Sequence, residues 1–68
     1  MKTATFHASE DKIDYFKELS TDVLDVESII IEGNTITLVG TYLDREFCEI
    51  TAKHAGVEII EFKDSTKD

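Results

Sequence analysis

The chain has 68 residues and a formal net charge of −8 at pH 7, since 15 Asp and Glu outnumber 7 Lys and Arg. This length allows one domain, residues 1–68, and the single cysteine, Cys48, excludes an internal disulfide. The charge excludes polyanions as direct partners, so we expect no binding to nucleic acid or to anionic membranes. It predicts either binding to a basic partner or, as the alternative, acidity that only keeps a small protein soluble.

The first predicted elements are a short strand and an amphipathic helix. Residues 2–7 alternate, with Ala4 and Phe6 on one side of the strand and polar residues on the other. Ser9 is a candidate N-cap for a helix that begins at Glu10 and ends near Leu19 or Val23. The apolar residues at helical spacing, expected to form the buried side, are Ile13, Phe16, Leu19 and Val23.

Residues 26–42 predict a β-hairpin. Gly33 and Asn34 lie between two β-branched runs, and a Gly at the first loop position favours a type II′ turn. This loop fixes the register and places Ile31 opposite Ile36, with Ile29 and Leu38 on the same face. The second face of the hairpin is half apolar. Its candidate interface residues are Val26, Ile30, Thr37 and Val39.

A second helix and a last strand complete the predicted elements. The helix covers Leu43–Ala55, with Thr41 or Asp44 as its N-cap and Gly56 as a left-handed stop. One side of this helix carries Leu43, Phe47, Ile50 and His54. The strand covers residues 57–63, with Ile60 and Phe62 on one face, and residues 64–68 are expected to form a frayed tail.

The order of these elements predicts the fold class. A β-α-β-β-α-β order is typical of the α+β class and of the ferredoxin-like split βαβ fold. In that fold an antiparallel sheet carries two helices on one face, with right-handed crossovers. The alternative is a three-stranded sheet in which the first segment stays unpaired.

The hairpin at residues 26–41, with the helix and strand after it, resembles heavy-metal-associated domains. The likeness covers about half of the chain and implies the same topology. In that family two cysteines spaced C-x-x-C, in the loop after the first strand, bind the metal. Residues 6–12, where that loop lies here, contain no cysteine. The resemblance therefore implies no metal site for this chain.

The residues themselves also predict neither an enzyme nor a cofactor site. Cys48 and His54 point about 120° apart on a helix, so they do not form a ligand pair. Cys48 would need a base such as His7 to act as a nucleophile, and the glycines are too isolated for a phosphate loop. The absence of a long apolar segment or a signal peptide, together with the lone thiol, predicts a cytoplasmic protein.

The most informative pattern is a row of carboxylates on the first helix, which we name the acidic ridge. It consists of Asp11, Asp14, Glu18 and Asp22. Their spacing places them within about 80° of arc, opposite the expected buried side. Carboxylates expected to extend this negative surface are Asp25, Glu27 and Glu32. The ridge resembles the surface of DNA-mimic proteins, among them small phage-encoded inhibitors that occupy the nucleic-acid site of a basic protein.

Three functions follow as hypotheses. The first is an acidic interaction module that binds a basic, nucleic-acid-binding protein and inhibits it by DNA mimicry. The second is a ferredoxin-like ligand- or metal-handling domain with an altered loop. The third is a structural or regulatory subunit of a larger assembly. The half-apolar second face of the hairpin also predicts a homodimer, formed through this face or through a sheet edge, and the alternative is a monomer with a threonine-rich face.

Overall fold

The computed structural model describes residues 1–64. Its elements are β1 (Lys2–His7), α1 (Glu10–Val23), β2 (Ser28–Glu32), β3 (Thr35–Gly40), α2 (Arg45–Ala55) and β4 (Glu58–Asp64). The strands form one sheet in the order β2-β3-β1-β4, and every neighbouring pair is antiparallel. This arrangement confirms the ferredoxin-like prediction. The alternative with an unpaired first segment is wrong, because β1 pairs with both β3 and β4.

The core lies between the two helices and one face of the sheet. Ala4 and Phe6 of β1 are fully buried, as their alternation predicted, and they pack in one cluster with residues of β3 and both helices. Phe6 stacks at a tilt against Phe16 of α1, with a distance of 4.7 Å between ring centroids. This aromatic pair joins α1 to the centre of the sheet.

The hairpin has the predicted register. Ile31 pairs with Ile36, and Ile29 pairs with Leu38. Gly33 has φ +59° while Asn34 has a negative φ, which agrees with the predicted type II′ turn. Asn34 also ties the turn to the end of β1, since its side chain donates to the Ala8 carbonyl at 2.9 Å and its own carbonyl accepts from the Ala8 N–H at 2.9 Å.

Helix α1 has the predicted length, and three of the four residues of its predicted buried side, Ile13, Phe16 and Leu19, pack against the core. Phe16 and Ser20 are its buried residues, and the predicted core residue Val23 is exposed. The Ser20 hydroxyl donates to the Phe16 carbonyl at 2.7 Å, so burial leaves no polar atom unpaired. Ser9 takes the N-cap position, yet its hydroxyl donates to Asp11 at 2.7 Å and caps no backbone N–H. The predicted N-cap position is therefore confirmed, and the Ser9 hydroxyl does not cap the helix.

Helix α2 begins at Arg45, and its caps match the prediction. Asp44 accepts from the N–H groups of Glu46 and Phe47 at 2.8 and 3.2 Å, and Gly56 ends the helix with φ +75°. The side of the helix that carries Phe47, Ile50 and His54 is exposed. The residues that face the core are the smaller Cys48, Thr51, Ala52 and Ala55.

Strand β4 contains a bulge that the sequence pattern did not indicate. The register shifts opposite the Thr5–Phe6 step, so that Ile59 pairs with Phe6 and Phe62 pairs with Ala4. Ile60 is the extra residue and is exposed, whereas Ile59 and Phe62 pack against the core. Of the predicted tail, Asp64 belongs to β4, and residues 65–68 lie outside the described part.

Candidate protein-interaction surface

The acidic ridge lies on the solvent side of α1. All four of its carboxylates are exposed, and the helix that carries them is continuous from Glu10 to Val23. At 1.5 Å per residue, Asp11 and Asp22 are about 16 Å apart along the helix axis. The ridge is therefore one row of negative charge along most of α1.

No lysine or arginine of residues 1–64 forms an ion pair with the ridge. The ion pairs in this part of the chain are Arg45–Glu49 at 3.2 Å and Lys63–Glu61 at 3.7 Å. Lys12, although next to Asp11 in sequence, directs its ammonium to the Gly56 carbonyl at 3.3 Å. The hydrogen bond from Ser9 is the main reason that the pKa of Asp11 lies below its usual value, which keeps this end of the ridge ionised.

The three carboxylates expected to extend the ridge have different positions. Asp25 is exposed in the connection that follows α1. The Glu27 carboxylate has a structural role, because it accepts hydrogen bonds from the hydroxyl and the N–H of Thr41 at 2.7 and 3.1 Å. These hydrogen bonds lower the pKa of Glu27. Glu32 pairs with Thr35 on the sheet face away from the helices, so it does not extend the ridge.

A groove between α1 and α2, which we name the helix groove, lies beside the ridge. Its volume is about 390 Å³, and it is lined by Leu19, Val23, Phe47, Ile50, Thr51 and His54. Phe47 is 60% exposed, and Ile50 and Val23 are each 57% exposed. Since α2 buries its small side chains and leaves its large ones in solvent, this groove is an unusually apolar part of the surface.

Helical periodicity alone did not place Val23, Phe47 and Ile50 on a surface. The sequence of α2 does contain a signal for the exposure of Phe47 and Ile50, because the small residues 48, 51, 52 and 55 repeat at i, i+3, i+4 and i+7 and form a second stripe. A helix with a second stripe of small apolar residues can approach a sheet closely on that stripe. Its larger residues are then free to form a binding surface.

The face of the sheet opposite the helices, the outer face, is rich in threonine. Val39 and Thr37 of the predicted dimer interface are partly buried there, and Ile30 is 52% exposed. Val26 does not belong to this face, because it precedes β2 and packs against the core. The homodimer through Ile30, Thr37 and Val39 stays a prediction.

The sheet separates His7 from Cys48 and His54, which both lie on α2. Cys48 is fully buried in the core under α2, whereas His7 is exposed and pairs with Thr35 and Glu58 on the outer face. His54 lies in the last turn of α2, as predicted, and faces the helix groove. In the described part of the chain, no group of three His, Cys, Asp or Glu side chains is placed to hold a metal ion.

Cys48 is expected to resist thiol reagents in the folded protein. Burial, with smaller contributions from Asp44 and Glu49, raises its pKa to about 11, so about one thiol in a thousand is ionised at pH 8. We expect Ellman's reagent at pH 8 to modify the native protein at least ~100-fold more slowly than the protein unfolded in guanidinium. Rates within tenfold of each other would contradict the buried position of Cys48.

No model of a known protein family matches this chain, and no curated protein matches it. Within residues 1–64, neither helix has the length and apolarity needed to cross a membrane.

Proposed function

We propose that this protein is a non-catalytic interaction module whose acidic ridge binds a basic surface of another protein. The observation that carries the proposal is the row of four exposed carboxylates on α1, none of which forms an ion pair in residues 1–64. Such a row attracts a cationic surface and raises its rate of association. It also disfavours a polyanion as the direct ligand.

The ridge is unfavourable for the stability of α1, which supports a role in binding. Asp14, Glu18 and Asp22 follow one another at i,i+4 spacing, and each such like-charged pair costs about 0.2–0.5 kcal/mol. Asp22 lies in the last turn, which contains no basic residue, although the helix dipole favours cations there. Residues that destabilise the local structure are expected mainly at functional sites.

The specific form that we propose is competition with nucleic acid for a basic nucleic-acid-binding protein. The ridge carries a charge about every 5.5 Å along the helix axis, whereas one strand of DNA carries a charge about every 3.4 Å. The charge density of the ridge is thus lower than that of a DNA strand, so an excess of duplex DNA is expected to displace the protein from its partner. Because the contact is ionic, we also expect partner binding to weaken steeply as salt is added.

The test is capture of partners by the tagged protein and by its double variant Asp14→Lys/Glu18→Lys. We expect the variant to bind the partner at least about tenfold more weakly than the wild type, which is a loss of ~1.4 kcal/mol in binding free energy. Bound proteins are identified by mass spectrometry after elution with salt and, separately, with duplex DNA. Both substitutions are on the solvent side of α1, so the thermal stability of the variant should change by less than about 0.5 kcal/mol.

A matched control is the double variant Glu32→Lys/Glu58→Lys. It makes the same change in formal charge, from −8 to −4 because each reversal adds two, but on the outer face of the sheet. The control should retain capture. Equal loss in both variants would reduce the proposal to an effect of net charge, and full capture by the ridge variant would overturn it.

A further inference from the structure

We propose that the helix groove receives the apolar side chains of a cationic amphipathic helix carried by the partner, while the acidic ridge contacts the basic residues of that helix. This inference rests on the proposed function and adds the class of segment that is recognised. It uses the helix-in-groove mode of recognition, in which anchors at i, i+3, i+4 and i+7 enter an apolar groove.

The shape of the helix groove favours a protein segment over a small molecule. Its volume of about 390 Å³ lies in the range of small-molecule sites, but such sites enclose roughly 70–90% of their ligand. Here Val23, Phe47 and Ile50 on the two walls are each more than half exposed. An open apolar groove between two helices is suited to a row of side chains projecting from a third helix.

The charge around the helix groove selects the chemistry of the occupant. On α1, Asp22 of the ridge lies about 60° around the helix axis from Leu19, which lines the groove. A second copy of this chain, with its own charge of −8, would bring another ridge toward this one, and the repulsion disfavours that occupant. A helix with apolar residues on one side and Lys or Arg beside them complements both surfaces.

The probes for the test are three synthetic peptides. One is a Leu/Lys peptide with leucines at i, i+3, i+4 and i+7; the second has the same composition in a non-amphipathic order; the third is oligolysine. Binding to the full chain is measured by fluorescence anisotropy at low and at high salt. Amide shifts of the ¹⁵N-labelled wild-type protein then locate the amphipathic peptide without any substitution.

The variants are Phe47→Ser and Ile50→Ser in the helix groove, with Ile30→Ser on the outer face as a control of similar exposure. We expect each groove variant to weaken binding of the amphipathic peptide about tenfold, and the control to bind within twofold of wild type. The reordered peptide and oligolysine should bind at least about tenfold more weakly than the amphipathic peptide. The largest amide shifts should occur at Leu19, Val23, Phe47 and Ile50.

The outcomes separate this inference from the function on which it rests. Unchanged binding by both groove variants, together with weaker binding by Asp14→Lys/Glu18→Lys, would overturn the groove and leave the ridge in place. Amide shifts that are largest on the outer face would likewise overturn the groove. Binding that is insensitive to the ridge variant at low salt would overturn the proposed function and this inference with it.

Discussion

Phe16→Ala is expected to remove most of the stability of the protein. Phe16 is fully buried and stacks on Phe6 at 4.7 Å, and truncating a buried Phe to Ala costs about 3–5 kcal/mol. A domain of 68 residues has a total stability of roughly 3–10 kcal/mol at 0.05–0.15 kcal/mol per residue. Thermal unfolding followed by far-UV circular dichroism should show a melting temperature lower by more than about 12 °C, or no cooperative transition.

Phe47→Ala is the matched control for this experiment. It makes the same substitution in the other helix, at a side chain that is 60% exposed. We expect it to cost less than about 1 kcal/mol, because most of the removed surface was already in water. A loss similar to that of Phe16→Ala would show that Phe47 is a core residue, and the helix groove would then be part of the core.

The hairpin shows how far local pattern determines the fold. Its register could be predicted because Gly33 and Asn34 fix the loop, and because a shift by one residue would move every side chain to the wrong face. The same reasoning gave the order of the elements and the left-handed stop at Gly56. These features depend on neighbouring residues, so the sequence contains the information directly.

The buried side of α2 could not be predicted in the same way. In α2 two apolar stripes overlap, and periodicity alone does not show which of them meets the sheet. One stripe carries the large residues Phe47 and Ile50, which would usually be expected inside because large apolar side chains are mostly buried. The structure buries Cys48 and Ala52 instead, because the packing distance between helix and sheet, a property of the tertiary fold, selects small side chains there.

The two parts of the candidate site differ in whether the sequence predicts them. The acidic ridge could be predicted, because helical spacing is enough to align four carboxylates. The helix groove could not, since it forms where the exposed Val23 of α1 lies beside the exposed Phe47 and Ile50 of α2. A combined surface of charge and exposed apolar side chains is typical of a binding site, and its apolar half becomes visible in the tertiary structure.

Gly40→Ala is expected to destabilise the protein by about 2–3 kcal/mol through a clash with backbone. A Cβ atom at Gly40 would lie 2.5 Å from the carbonyl oxygen of Asp25 and 3.5 Å from the backbone nitrogen of Glu27. The connection from α1 to β2 cannot easily move away, because the Glu27 N–H donates to the Val39 carbonyl at 2.7 Å and the Glu27 side chain accepts from Thr41.

Whether Gly40→Ala lowers or raises the stability of the protein shows whether the new methyl group clashes with the backbone. If there were room for a methyl group at Gly40, Ala would stabilise the chain by about 0.4–1 kcal/mol through a less flexible unfolded state. Gly33→Ala is the comparison, since Gly33 has no atom within 4 Å but a φ of +59°, and an Ala in this strained turn conformation costs roughly 1–3 kcal/mol. Urea unfolding should therefore rank wild type above both variants, with a backbone clash as the cause at Gly40 and the positive φ as the cause at Gly33. A Gly40→Ala protein as stable as wild type would mean that the connection after the acidic ridge does not pack on β3 as the structure shows.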